Sequence, residues 1–342
     1  MLSSKAIRLG VAKTRLVFIV VLASTSFAGN GHAELASNGL LKTPNLNPFA
    51  VLAYTPLAES AHLVPAKAFD VAVSYNIANN LVSSANEYEL LILDGESSTS
   101  DFTLNYGLRH NLELSISLSH VSHSGGRLDG PISKWHQTFG LPNADREYLE
   151  DNQINYRWSV NSEDRARVQT SVSGVGDTII GLGFNLHSSP GQRITVRTAL
   201  SLPTGDAKDL LGSGTKALST FLIASKSIHF LTFPGVLRMG IGTTLSHRST
   251  KVDLLRRRTA ASAYAGLAYK VAKKLWLKTR LEYSQGRFYS SIPELSQANA
   301  RLVFGGTIVL KPNRVIDFAI AEDLTVAHSP DVSFHARLAA RF

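Results

Sequence analysis

Between residues 111 and 121 runs an alternating segment, without an error as far as Ser119. Leu112, Leu114, Ile116 and Leu118 occupy one parity, and Glu113, Ser115, Ser117 and Ser119 the other. A β-strand has a side-chain period of two, so this run has one apolar face and one polar face. The same rhythm recurs at 68–78, 99–109, 175–187, 192–202, 216–227, 235–247, 259–270, 275–285, 300–310, 314–326 and 331–342. Twelve such segments exclude a helical fold. They leave two architectures open, a soluble sandwich and a membrane barrel.

The placement of charge separates these two. Arg193, Arg197, Lys278, Arg280, Glu282, Arg301, Asp317, Arg337 and Arg341 all fall on the polar parity. Phe102, Tyr106, Phe184, Tyr283, Phe304, Phe318 and Phe342 fall on the apolar parity, several near segment ends, as an aromatic girdle requires. Short turns such as 189–191 and 311–313 alternate with longer polar connections at 204–215, 248–258 and 286–298. That asymmetry matches an outer-membrane barrel, with short turns on the periplasmic side. No apolar run is long enough for a membrane-spanning helix, and a barrel needs none.

The N-terminus reads as a leader. Lys5, Arg8, Lys13 and Arg15 precede an apolar stretch at 16–23, and Gly31-His32-Ala33 supplies a small-residue cleavage site, with Ala28 as the alternative. Removing 1–33 leaves 31 basic and 26 acidic residues, a net charge of +5, which gives no case for a nucleic-acid partner. The absence of cysteine excludes a disulfide framework.

The expected fold is therefore all-β: a transmembrane antiparallel up-and-down β-barrel of about 12 strands, with 14 as the alternative. A long, partly helical extracellular loop covers 122–173, with a short helix at 132–139. Residues 34–66, rich in proline and asparagine, form an N-terminal periplasmic or lumen segment, and 67–342 the barrel. The closing strand ends on Phe342, a signal for the barrel-assembly machinery. It is expected to pair with 68–78, and outer-membrane lipids are the expected surroundings.

Several stretches resemble one family of bacterial outer-membrane proteins, catalogued as domain of unknown function 3187. They are Asn45-x-Asn47-Pro48, 92–96, Tyr106-Gly107-Leu108, and Gly125-Gly126 through His136 to Pro142 and Arg146. Gly174-x-Gly176-Asp177, 202–206 and 211–214 continue the resemblance. It implies an outer-membrane barrel and supplies no catalytic residues.

Candidate sites follow from the residues. A loop at 122–146, folded into or over the barrel mouth, would bring Arg127, Asp129, Trp135, His136 and Arg146 to a binding site. Inward Arg193, Arg197, Arg280, Arg301 and Arg337 would favour an anionic solute, or instead pair with Glu282 and Asp317 and fill the interior. Ser119, Ser124, His120, His123 and His136 hold the residue types of a hydrolase, without a nucleophile-elbow pattern. His120 and His123 are wrongly phased on a strand to share a metal. Asp177, Asp206 and Asp209 suit either calcium or turn chemistry. No cofactor is expected. Three functions stay open: a narrow channel or transporter for a small solute, an outer-membrane lipid or lipopolysaccharide hydrolase, and a structural or assembly protein with a closed lumen.

Overall fold

The computed structural model describes Leu35 and residues 39–139, 152–230, 233–247, 255–325, 330 and 332–342. The proposed leader and Arg146 lie outside the described residues, as do the side chains of Trp135 and His136.

Twelve strands close an antiparallel barrel: β1 (Phe69–Ala85), β2 (Glu89–Arg109), β3 (Leu112–Ser124), β7 (Thr178–Ser189), β8 (Gln192–Leu202), β9 (Ala217–Phe230), β10 (Phe233–Ser246), β11 (Thr259–Ala272), β12 (Leu275–Ser284), β13 (Asn299–Lys311), β14 (Arg314–Asp323) and β15 (Val332–Arg341). Every strand pairs with its neighbours in sequence order, and β1 pairs with β15 to close the ring, Asp70 opposite Arg341 and Ala78 opposite Ser333. The count is twelve. The 79–98 stretch adds no strand, because it lengthens β1 and β2 into a tall hairpin.

The expected long helical loop is corrected. Residues 155–175 form three short strands, β4 (Asn155–Val160), β5 (Glu163–Val168) and β6 (Val172–Val175). β4 adds to the upper part of β2, β5 to β4, and β6 to the upper part of β3. The tall hairpin leaves strand edges above the barrel, and edges recruit strands. Helix is limited, among the described residues, to α1 (Asp129–Phe139), the four-residue α2 (Pro293–Ser296), a 3₁₀ turn at Pro48–Leu52 and a single helical residue at Leu35.

Alternation decides which side chains point where. Leu114, Leu118, Leu182, Phe184, Leu222, Ile241, Leu281, Phe304, Phe318 and Phe334 are all exposed on the outer wall. The opposite parity, including Asn76, Glu113, Arg280, Arg301, Asp317 and His335, is buried inside. A belt of large apolar side chains facing outward, around a polar interior, inverts the order of a water-soluble protein. One rim carries the short turns at 110–111, 190–191, 273–274 and 312–313, with the start of β1 and the end of β15; the other carries the long connections.

Candidate functional site

The interior is occupied by the chain's own N-terminal hairpin, Leu35 and 39–66. Leu35 lies near the turn rim, packed with Ala72, Trp276, Val315 and Ala339. The segment then climbs. Lys278 Nζ donates to the Gly39 carbonyl at 2.5 Å, and Leu41 packs on Val303, Ala319 and Ala321. Arg280 donates to the Leu41 carbonyl and to Thr43 Oγ1 at 2.9 Å, while Arg301 donates to the carbonyls of Thr43 and Pro44, both at 2.9 Å. At the loop rim Asn47 caps the 3₁₀ turn, accepting from Phe49 N at 2.9 Å, and Phe49 and Leu52 bury against Leu91, Trp158, Phe288 and Leu295. The chain then descends. Tyr264 donates to the Glu59 carbonyl, Thr195 to the Ala61 carbonyl at 2.5 Å, and Arg197 to the carbonyls of Ser60 (2.7 Å) and His62 (3.1 Å). Val64 N donates to Glu113 at 2.6 Å.

The hairpin leaves at the turn rim, where Lys67 N donates to the Gly107 carbonyl at 2.7 Å. A Cβ on Gly107 would stand 2.1 Å from the Pro65 carbonyl oxygen, so this close crossing of β2 requires glycine. The Tyr106-Gly107-Leu108 motif is therefore a docking point for the hairpin.

The inward charges are used within this assembly. Glu282 accepts from Arg280 at 2.7 Å and Arg301 at 2.5 Å, Asp317 from Arg337 at 2.8 Å, Glu113 from Arg197 at 2.7 Å, and Asp70 from Arg341 at 2.6 Å. Arg193 sits nearer the turn rim and donates to Ser188 at 3.0 Å. Within the hairpin, Glu59 pairs with Lys42 at 2.7 Å. Burial alone would raise the Glu59 carboxyl, but Lys42 and Arg197 outweigh it and hold it below the usual carboxylate range. Burial, reinforced by Arg193, Arg238, Arg341 and Arg197, pushes the His62 imidazole down to about 3.

Of the 122–146 candidates, the two whose side chains are described, Arg127 and Asp129, are not brought to these arginines. Arg127 is exposed, its backbone N donating to Glu96 at 3.1 Å. Asp129 accepts from Asn79 at 2.9 Å and from the Asn152 backbone at 2.9 Å, at the loop rim. His123 points inward and is fully buried, its Nδ1 3.0 Å from Ser97 Oγ and its Nε2 2.9 Å from the Leu210 carbonyl, whereas the parity of β3 turns His120 outward. Ser97 also meets Asn80 at 3.1 Å and Tyr156 at 3.2 Å, so its hydroxyl is committed to this network.

Asp177 shows turn chemistry. It accepts from Gly205 N at 3.1 Å, Ser213 N at 2.9 Å and Ser213 Oγ at 2.5 Å, fastening the β8–β9 connection over the lumen. A Cβ on Gly212 would fall 2.4 Å from Asp177 Oδ1. Among the described residues no three acidic or histidine side chains converge as a metal site.

One part of the lumen is open. A cleft of about 160 Å³ separates the hairpin from β2, β3 and β7, with Thr99, Asp101 and Ser119 on the wall and Tyr54 and Leu57 on the hairpin. Sequence patterning does not find this cleft. The hairpin has no period, and its partners are mostly backbone carbonyls, which every residue owns.

Among solved structures, an outer membrane channel from Pseudomonas putida F1 aligns over 82% of this chain and 98% of its own, with a TM-score of 0.52 and 14% identity. The NanC porin aligns over 80% of this chain and 98% of its own (TM-score 0.43, 6% identity), and the toluene transporter TodX from Pseudomonas putida over 90% and 95% (TM-score 0.36, 11% identity). The first of these likenesses extends to the barrel fold and no further. No curated protein matches the chain. The family model for "Protein of unknown function (DUF3187)" matches residues 16–342, and the chain belongs to that family.

Proposed function

We propose that this protein is an outer-membrane β-barrel that passes a small solute, and that the described conformation is its stoppered form. The observation that carries the reading is the way the lumen is filled. A closed channel core would be built from strand side chains meeting each other. Here the wall, besides its own ion pairs, presents guanidinium and ammonium groups to the backbone carbonyls of a single separate segment. Such contacts are replaceable by water, so these bonds, unlike the apolar packing of Leu35, Leu41, Phe49 and Leu52, lose little when the stopper leaves the wall. The apolar belt faces lipid, the short turns face the periplasm, and α1 with β4–β6 stands outside the cell.

Purified protein in planar bilayers tests the reading. Wild-type barrel is expected to be nearly silent, with brief openings. Removal of residues 39–62 is expected to give steady conductance in a barrel that keeps heat-modifiable gel mobility. A folded but silent deletion variant would overturn passage and favour the closed-lumen structural reading. The hydrolase reading gains no support from the Ser97–His123 contact, because that serine is buried and fully bonded.

A further inference from the structure

The two ends of the barrel carry different charge. On the loop rim, exposed acids such as Glu87, Glu163, Asp206 and Glu322 stand among exposed cations such as Arg127, Lys134 and Lys208. On the turn rim the exposed charge has one sign. Lys67 lies just before β1, Arg109 at the β2–β3 turn, Lys273 and Lys274 in the β11–β12 turn, and Lys311 at the β13–β14 turn, and all are exposed. Lys226 is exposed on β9, opposite Gln192 at the β7–β8 turn. The acids nearest this rim are Asp70, Glu113 and Asp317. All three are buried, and they pair with Arg341, Arg197 and Arg337. Among the described residues, no exposed acid stands at the turn rim.

These cations are spread around the ring, over the β1–β3 region, β9, β11–β12 and β13–β14. A docked protein would meet them on one patch only, whereas lipid headgroups surround a barrel on every side. Their depth points the same way. Phe69 is exposed, and its ring lies 6.2 Å from both Tyr106 and Phe342, close in sequence to Lys67 and Arg109. Phe184 and Phe233 are exposed near the β7–β8 and β9–β10 turns. Aromatic rings at the ends of an apolar belt sit at headgroup level. Lysine and arginine at that level lay their stems along the apolar wall and keep the charge among the phosphates.

We propose that the turn rim is a binding surface for anionic phospholipids, which it selects over zwitterionic ones in the leaflet that meets the short turns. The inference rests on the membrane embedding of the barrel proposed above, and not on passage.

The full chain in phosphatidylcholine vesicles, probed with spin-labelled phosphatidylglycerol and spin-labelled phosphatidylcholine, tests it through the motionally restricted fraction of each lipid. A cation near a headgroup favours an anion about fivefold, so a shell averaged over one selective and one indifferent leaflet should prefer phosphatidylglycerol about threefold at low salt. The preference should fall toward one at about 1 M salt, where charges are screened beyond about 3 Å. Lys273→Gln, Lys274→Gln and Lys311→Gln together remove half of the six exposed cations, and should lower the preference to about twofold. Lys134→Gln with Lys208→Gln, on the loop rim, should leave it unchanged. Heat-modifiable mobility identifies variants that have folded. A restricted shell with no preference, or a preference equal in wild type and the triple variant, overturns the proposal and leaves the barrel in the membrane. Polyglutamate bound in neutral detergent, lost in the triple variant and accompanied by no lipid preference, would assign the ring to an acidic protein and overturn the proposal as well. A silent hairpin-deletion variant beside an intact lipid preference would overturn passage and leave this surface standing.

Discussion

Glu282 holds two guanidinium groups at once, and each of those reaches on to the hairpin, so one carboxylate positions two contacts with Thr43 and one each with Leu41 and Pro44. Removing one partner of a buried ionic group costs about 3–5 kcal/mol, because the remaining charges stay buried without compensation. Glu282→Gln is therefore expected to loosen the hairpin by an energy of that order, seen as faster proteolysis within 39–62 while the barrel keeps its heat-resistant mobility. His62 supplies a pH dependence. Docked, it is neutral down to about pH 3; released, it takes its ordinary value of about 6.5. The docked form then binds fewer protons, so docking is fully supported above about pH 6.5 and weakens as pH falls from there toward 3. The limit is about one decade per pH unit, and partial exposure of His62 brings the effect below it. Proteolysis of the hairpin should accelerate between pH 7.5 and 5, and His62→Gln should flatten that part of the profile. Glu59 works in the same direction but only below the ordinary carboxylate range, since its docked carboxyl is held down by Lys42 and Arg197.

At the scale of elements, the strands were legible, whereas for the stopper only the segment was, with lumen and periplasm both open and no contact assigned. Leu112 to Ser119 declare their faces because each parity meets one environment along the whole strand. The β15 residues do the same: Phe334 and Leu338 are exposed outside, His335 is buried inside, and the strand pairs with β1 as its pattern requires. The hairpin carries no such signal. Arg197, Arg280 and Arg301 were readable as inward cations and Glu282 as an acceptor for them, yet what they hold of the hairpin is mostly peptide carbonyl, which leaves no complementary residue in the sequence. The helix-forming stretch near 132 was visible, but β4–β6 were not, because β4 and β6 join only the overhang of β2 and β3, and β5 joins only β4. The Gly-x-Gly-Asp and Thr-Gly-Asp motifs turn out to be two halves of one clasp. Asp177→Asn keeps the shape but removes charge-assisted bonds to Gly205 and Ser213, at a cost of about 1–3 kcal/mol. The expected result is new protease cleavage within 204–215 with barrel mobility unchanged.

The molecule as a whole is a cysteine-free wall around a removable filling, and that permits a clean lock. Leu41 and Ala321 belong to one buried cluster linking hairpin to wall. Leu41→Cys with Ala321→Cys is expected to silence the brief openings under oxidation and restore them on reduction; openings that persist in the cross-linked protein would place the solute path elsewhere. The route of the hairpin also bears on how it can leave. Leu35 and Lys67 both lie at the turn rim, while Pro48–Leu52 reaches the opposite rim. The segment between them is therefore a re-entrant bight, not a thread drawn through the ring. A bight can be withdrawn through the side it entered without passing a free end and without breaking one rung of the twelve-strand ladder. Opening and barrel integrity are topologically independent, so a pull applied from the turn rim would uncork the protein and leave its membrane seal whole.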